Sequence, residues 1–212
     1  MVARSTKEEA QATRHRLLDA AERLFHRNGV SQTSLQHIAT EAGATRGAIY
    51  WHFKDKADLF NAMMERVTLP LEQSLHQAAS NGADPLVSLK DSLRNALVLM
   101  RDDPQLRRVV EIAVHKVEYV DEMHAVRERH LSVRNQCVGD IGRALRLAAR
   151  QRGCRLRLPA AVAAAGLHAT IDGLIFNWLL DTAAFDLPTL GDQMLELHLV
   201  GLGLREQGVR NK

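Results

Sequence analysis

The chain has 212 residues, a formal net charge of +3 and a pI near 9.1, a balance too mild for its overall sign to argue for nucleic acid. That length holds one medium domain or a small and a larger one. Only 4% of the residues are aromatic and alternating strand-like runs are hard to find, which points to an all-α protein. Cys137 and Cys154 are too few and too far apart for a disulfide framework or a CxxC site. The N-terminus lacks the apolar core of a signal peptide, so a reducing cytoplasm is the expected location.

The first helix carries an apolar stripe of Leu17, Ala21, Leu24 and Phe25, with Arg14, Asp19, Glu22, Arg23 and Arg27 mostly on the solvent side, and Asn28-Gly29 stops it. Thr33 with Gln36 reads as a capping box, and Leu35, Ile38, Ala39 and Ala42 recur at helical spacing, so a second helix is expected over about 34–42. Gly43 tolerates the left-handed conformation that ends a helix, and Thr45 can cap a third by accepting a backbone N–H. On that third helix Ile49 and Phe53 lie one turn apart and point inward, while Arg46, Gly47, Tyr50 and Trp51 cover a different arc. No acidic residue occurs between Thr45 and Lys54, so this arc is positive and can face a phosphate backbone.

The residue types suit a groove. A guanidinium at Arg46 can bond guanine O6 and N7 together, Gly47 lets the backbone approach closely, and Tyr50, Trp51 and His52 carry N–H or O–H groups for phosphates or base edges. Asp55 and Asp58 read as the cap and third position of the next helix, which leaves Lys56 in its first turn, against the helix dipole. That placement makes sense if Lys56 meets a phosphate together with the free N–H groups of the helix end. Thr33, Thr45, Arg46, Gly47, Tyr50, Trp51, His52 and Lys56 form the expected DNA-contacting set.

The run T-S-L-Q-H-I-A-T-E-A-G-A-T-R-G-A-I-Y-W-H-F-K-D-K-A-D-L-F closely resembles the DNA-binding domain of TetR-family transcriptional repressors. The opening T-K-E-E-A-Q-A-T-R and the Y-W-H-F wording resemble the branch that represses multidrug efflux pump operons in Gram-negative bacteria. The resemblance implies a three-helix helix-turn-helix DNA-binding domain at 1–56, then a larger helical ligand-binding and dimerisation domain at 57–212.

Beyond Lys56, breakers at Asn81 to Pro85, Asp102 to Pro104, Gly153 to Pro159 and Asp186 to Pro188 leave helices expected over about 57–80, 85–101, 105–119, 122–152, 160–181 and 188–205. The helix from Ala57 reads as unbroken and so as a mechanical tie to the rest of the chain. The apolar stretch from Leu158 to Leu180 is interrupted by His168, Asp172 and Asn177, so no membrane span is expected. Leu190, Met194, Leu197, Gly201 and Leu204 form a heptad-like seam, and Ala161, Ala165, Ala169 and Gly173 let a second helix come close. Periodicity alone leaves open whether these stripes fill the protomer core or an interface; members of the TetR family dimerise through their last helices, which implies a homodimer and hence an inverted-repeat operator.

Leu93 and its apolar neighbours can line a cavity or simply fill the core. Asp172, inside the apolar run A-T-I-D-G-L-I, needs a partner or a ligand. The runs V-V-E-I-A-V-H-K-V-E-Y and I-D-G-L-I-F-N-W-L-L resemble the same branch and imply that Val110, Val114, Cys137, Ile141, His168, Ile171 and Asp172 lie at pocket positions for an apolar, drug-like inducer. The function so implied is a ligand-responsive repressor that binds double-stranded operator DNA as a dimer; a regulator of an unrelated metabolic operon is the alternative.

A helical metal enzyme is the rival from another class. Glu111 and His115 have i,i+4 spacing that can place two ligands on one face, but paired Glu-x-x-His motifs are absent and Asp121-x-x-His124 is a single near miss. No H-E-x-x-H, phosphate loop or nucleophile elbow occurs. No enzymatic activity, metal or cofactor is expected.

Overall fold

The computed structural model describes residues 2–81, 84–118 and 121–204, and every regular element among them is helical. They are α1 (Val2–Asn28), α2 (Leu35–Glu41), α3 (Arg46–His52), α4 (Lys56–Asn81), α5 (Pro85–Asp102), α6 (Pro104–His115), α7 (His124–Gln151), α8 (Ala160–Leu180) and α9 (Leu187–Gly201), with a short 3-10 turn at Asp121–Met123 before α7. The two late expectations ran long: α6 stops at His115 and α9 at Gly201. Their expected last residues, 119 and 205, lie outside the described residues, as do Gly82 and Ala83 of the α4–α5 breaker.

The chain divides into two compact units, Met1–Leu69 with Pro104–Leu131 and Pro70–Asp103 with Ser132–Lys212. The first does not close at residue 56. Leu17, Leu18, Phe25, Ile38, Ile49 and Phe53 are buried against Leu59, Phe60 and Met63 of α4, Val109 and Ile112 of α6, and Met123 and Val126 around the start of α7. Helix α1 and the two short helices α2 and α3 do not close a core alone, and α4 and α6 complete it. The end of α6 is tied back to α1: Val30 N–H donates to the Lys116 carbonyl at 3.2 Å, and Lys116 Nζ donates to the His26 carbonyl at 2.6 Å.

Glu22 corrects the solvent assignment on α1. It is buried, and its carboxylate accepts from Arg108 Nε at 2.7 Å, Gln105 Nε2 at 2.9 Å and Arg66 Nη2 at 3.2 Å, while Arg66 also holds Asp19 at 2.6 Å. A buried carboxylate is tolerable only when its lone pairs are filled in this way.

Helix α4 runs from Lys56 to Asn81 without a break, as expected, although Pro70 lies inside it, where one unit gives way to the other. Proline has no N–H to offer the Arg66 carbonyl, so the ladder loses one hydrogen bond there.

In the second unit, Leu89, Leu93 and Leu97 of α5, Ile141, Leu145 and Ala148 of α7, Leu167 and Ile171 of α8, and Leu195 and Leu199 of α9 are buried. A β-carbon on Gly191 would lie 2.1 Å from Leu97 Cδ1, so glycine there permits the close approach of α9 to α5. Arg94 grips Asp192 with Nε at 2.8 Å and Nη2 at 2.6 Å across the same pair of helices.

Candidate nucleic-acid interface and ligand region

The recognition unit is built by its caps. Gly43, at φ +62°, ends α2, and Ala44 N–H donates to the Ala39 carbonyl at 2.9 Å. Thr45 Oγ1 accepts from Ala48 N–H at 3.1 Å and starts α3. Ile49 and Phe53 are buried as expected and fix the roll of α3, so that Arg46, Gly47, Tyr50 and Trp51 are left exposed, Trp51 to 73%. Arg46 Cζ stands 5.8 Å from the Tyr50 ring centroid, a cation–π contact that braces the guanidinium at the helix start against a ring one turn on. His52 is half-buried with its ring edge-on to Trp51 at 4.5 Å. Burial, and then the charge of Arg14, hold His52 below the ordinary histidine range, so it is neutral at pH 7.

Two of the expected contacts are placed differently. Thr33 is 1% exposed and its hydroxyl donates to the Gly29 carbonyl at 2.8 Å, so it neither caps α2 nor presents a group to solvent. The cap is its neighbour Ser34, whose Oγ accepts from His37 N–H at 3.2 Å; either residue satisfies a Ser/Thr cap pattern, and only the packing of Thr33 separates them. Lys56 is 8% exposed, with Nζ 3.4 Å from Glu122 Oε2, and so is turned onto a carboxylate rather than outward. The reading of its helix start does hold: Asp55 Oδ1 accepts from Asp58 N–H at 2.8 Å, and Asp58 Oδ2 from Lys54 N–H at 2.9 Å. Arg14, expected on the solvent side of α1, has its Cζ 5.2 Å over the Phe53 ring, a contact between α1 and the end of α3 that no local pattern marks.

Of the ligand positions, Leu93, Ile141 and Ile171 are buried, and Cys137 and His168 half-buried, in the second unit. Burial pushes the Cys137 thiol up to about 11, with added weight from the carboxylates of Glu72, Asp140 and Asp172, so α4, α7 and α8 all contribute charge around it. Asp140 is buried and spent on His76 Nδ1 at 3.2 Å and on Arg143. Asp172, expected to need a partner or a ligand, has a partner. It is 57% exposed and pairs with His168 Nδ1 at 3.1 Å, one turn back. Val110 and Val114 are half-buried on α6, in the first unit. Glu111, weighed above as a metal ligand, lies 3.4 Å from His26 Nε2 and 3.6 Å from Lys116 Nζ, as an ion-pair acceptor.

The outer faces of α8 and α9 are apolar and uncovered. Val162, Phe176 and Leu180 on α8 and Leu197 and Val200 on α9 are exposed, Leu197 to 63%, and Ala165, Ala169 and Gly201 are exposed among them. Leu190 and Met194 are half-buried on the same side. Leu204 leaves the seam, because α9 ends at Gly201 and the chain turns through Gly203 (φ +85°), burying Leu204 to 1% in its own protomer. By length and composition α8 is apolar enough to cross a membrane.

Comparison with known proteins matches residues 17–63 to the model of the tetR family of bacterial regulatory proteins, and residues 84–201 to the C-terminal region of MAATS-type transcriptional repressors. The chain is 41% identical over 193 residues to the HTH-type transcriptional regulator TtgR of Pseudomonas putida, covering 89% of this chain and 90% of that protein. The crystal structure of NalD, the secondary repressor of the MexAB-OprM multidrug efflux pump in Pseudomonas aeruginosa, superposes with a TM-score of 0.85 at 37% identity, over 94% of this chain and all of that one. A complex of SmeT with triclosan follows at a TM-score of 0.82 and 33% identity, over 92% and 93% of the two chains. With a capped, acid-free recognition helix standing clear of its core, and with both family models matched in order along the sequence, the chain belongs to the TetR family of transcriptional repressors.

Proposed function

We propose that this protein is a ligand-responsive repressor of a multidrug efflux operon, binding an inverted-repeat operator as a homodimer and released by an apolar, drug-like inducer. The observation that carries the reading is the exposed face of α3, where Arg46, Gly47, Tyr50 and Trp51 stand clear of the anchors Ile49 and Phe53 with no carboxylate among them. The efflux assignment is supported by the relatives: NalD is described as a repressor of an efflux pump. The homodimer reading is supported by the exposed apolar faces of α8 and α9, which need cover in water.

The inducer reading is supported by the SmeT–triclosan complex and by the burial of Leu93, Ile141 and Ile171 in the unit that also holds Cys137 and His168. Ligand must favour a dimer whose two recognition helices no longer fit adjacent half-sites, since only differential affinity moves such an equilibrium. Helix α4 starts at the end of the DNA reader and is the lever, with Pro70 its compliant point. Acting on DNA, the protein works in the cytoplasm.

The test is a gel-shift titration of the region upstream of the adjacent operon. Arg46→Ala should cost roughly 1–3 kcal/mol and relax base preference. Triclosan should both raise the thermal midpoint and release the DNA. Full affinity in Arg46→Ala would remove α3 as the reader, and an unshifted midpoint with intact repression would remove triclosan-like molecules as inducers.

A further inference from the structure

The connection between α7 and α8 concentrates charge that the DNA reader does not use. Six arginines, Arg143, Arg146, Arg150, Arg152, Arg155 and Arg157, fall within fifteen residues, and no Asp or Glu occurs between Asp140 and Asp172. Two of the six are spent: Arg143 on Asp140, and Arg152 on Asp84 at 2.6 Å. Arg146, Arg150, Arg155 and Arg157 are exposed and have no carboxylate partner among the described residues.

Residues Arg155, Leu156, Arg157, Leu158 and Pro159 line a solvent-open cavity of about 460 Å³. The cavity's wall is held in place: Arg157 N–H donates to the Leu202 carbonyl at 3.2 Å, where the chain leaves α9. Pro159, at the cap position of α8, provides no side-chain acceptor for the first N–H groups of that helix. Arg146 adds positive charge by the start of α8. A β-carbon on Gly142 would lie 3.5 Å from Arg146 Nη1, the Ala160 carbonyl and Ala164 Cβ alike, so this guanidinium sits at the first turn of α8.

We propose that this cavity is a second ligand site, for a small amphiphilic anion with a phosphate, sulfonate or carboxylate head and a short apolar body. Arg155 and Arg157 offer planar forks for the head. Leu156, Leu158 and Pro159 offer the wall for the body, and Leu158 is 49% exposed with no apolar cover of its own. None of the five residues that line it is among the expected inducer positions.

Calorimetric titration of the full-length protein, without DNA, tests the proposal with octyl phosphate and inorganic phosphate as probes. Octyl phosphate should saturate one site per chain and bind more tightly than inorganic phosphate. The double variant R155Q/R157Q should lose at least about tenfold in affinity, the worth of one charge-assisted hydrogen bond, at an unchanged thermal midpoint. Arg143→Gln, already paired away from the cavity, should bind as the parent does. Absent saturation, equal affinity for the two probes, or undiminished binding in R155Q/R157Q would overturn the site. Weakened non-specific DNA binding in R155Q/R157Q without any octyl phosphate binding would overturn it in favour of a nucleic-acid contact.

Discussion

Replacing Glu22 by glutamine tests whether the buried carboxylate on α1 holds the DNA-reading unit together. Glu22 accepts three hydrogen bonds, two of them from guanidinium groups, and its side chain is 7% exposed. A charge-assisted hydrogen bond contributes about 1.5–3 kcal/mol, and breaking a buried ion pair costs about 3–5 kcal/mol. Here the lower end applies, because Arg66 keeps Asp19 at 2.6 Å and the Arg108 side chain, 41% exposed, can turn to water. Glutamine also presents an amide donor where three donors already converge. The expected loss is about 3 kcal/mol, or a midpoint lowered by roughly 6–12 °C at this chain length. Urea denaturation at fixed protomer concentration measures it, since dimerisation makes apparent stability concentration-dependent. Arg108→Gln should cost less, because its partner retains Arg66 and Gln105. A Glu22→Gln protein within about 0.5 kcal/mol of the parent, the level of an ordinary surface change, would refute the reasoning.

Leu197→Glu should give a monomer by sedimentation velocity and abolish operator binding, since a two-fold axis would bring two new carboxylates into an apolar contact; an intact dimer at micromolar concentration would move the interface elsewhere. Glu122→Gln should strengthen operator binding up to about fivefold and steepen the salt slope by about one, by freeing Lys56 for a phosphate, and the gain should vanish in a Lys56→Ala background. Unchanged affinity and slope would take Lys56 out of the interface. A phosphate beside His52 raises a pKa that burial and Arg14 have lowered, so operator affinity should rise as pH falls from 7.5 to 6, with proton uptake lost in His52→Gln. The unfolded chain takes up that proton first, so folding stability falls over the same interval and affinity must be referred to folded protein. A pH-independent affinity would place His52 off the DNA.

What the sequence determined by itself is what short-range physics controls. Gly43, Thr45, Asp55 and Asp58 act on backbone groups within four residues, and each does in the structure what its type and spacing predict. The inward turn of Ile49 and Phe53 follows from helical periodicity, and so does the exposure of Arg46, Tyr50 and Trp51. What only the tertiary structure decided involves partners distant in the chain. Glu22 reads as solvent-facing until Arg66, Gln105 and Arg108 converge on it; Lys56 reads as a free cation until Glu122 arrives 66 residues later; Leu204 continues a seam until the chain turns it into its own core. A periodic pattern reports which face of a helix is apolar, but burial and pairing depend on which surface packs against that face, and that is settled by contacts that no local window contains.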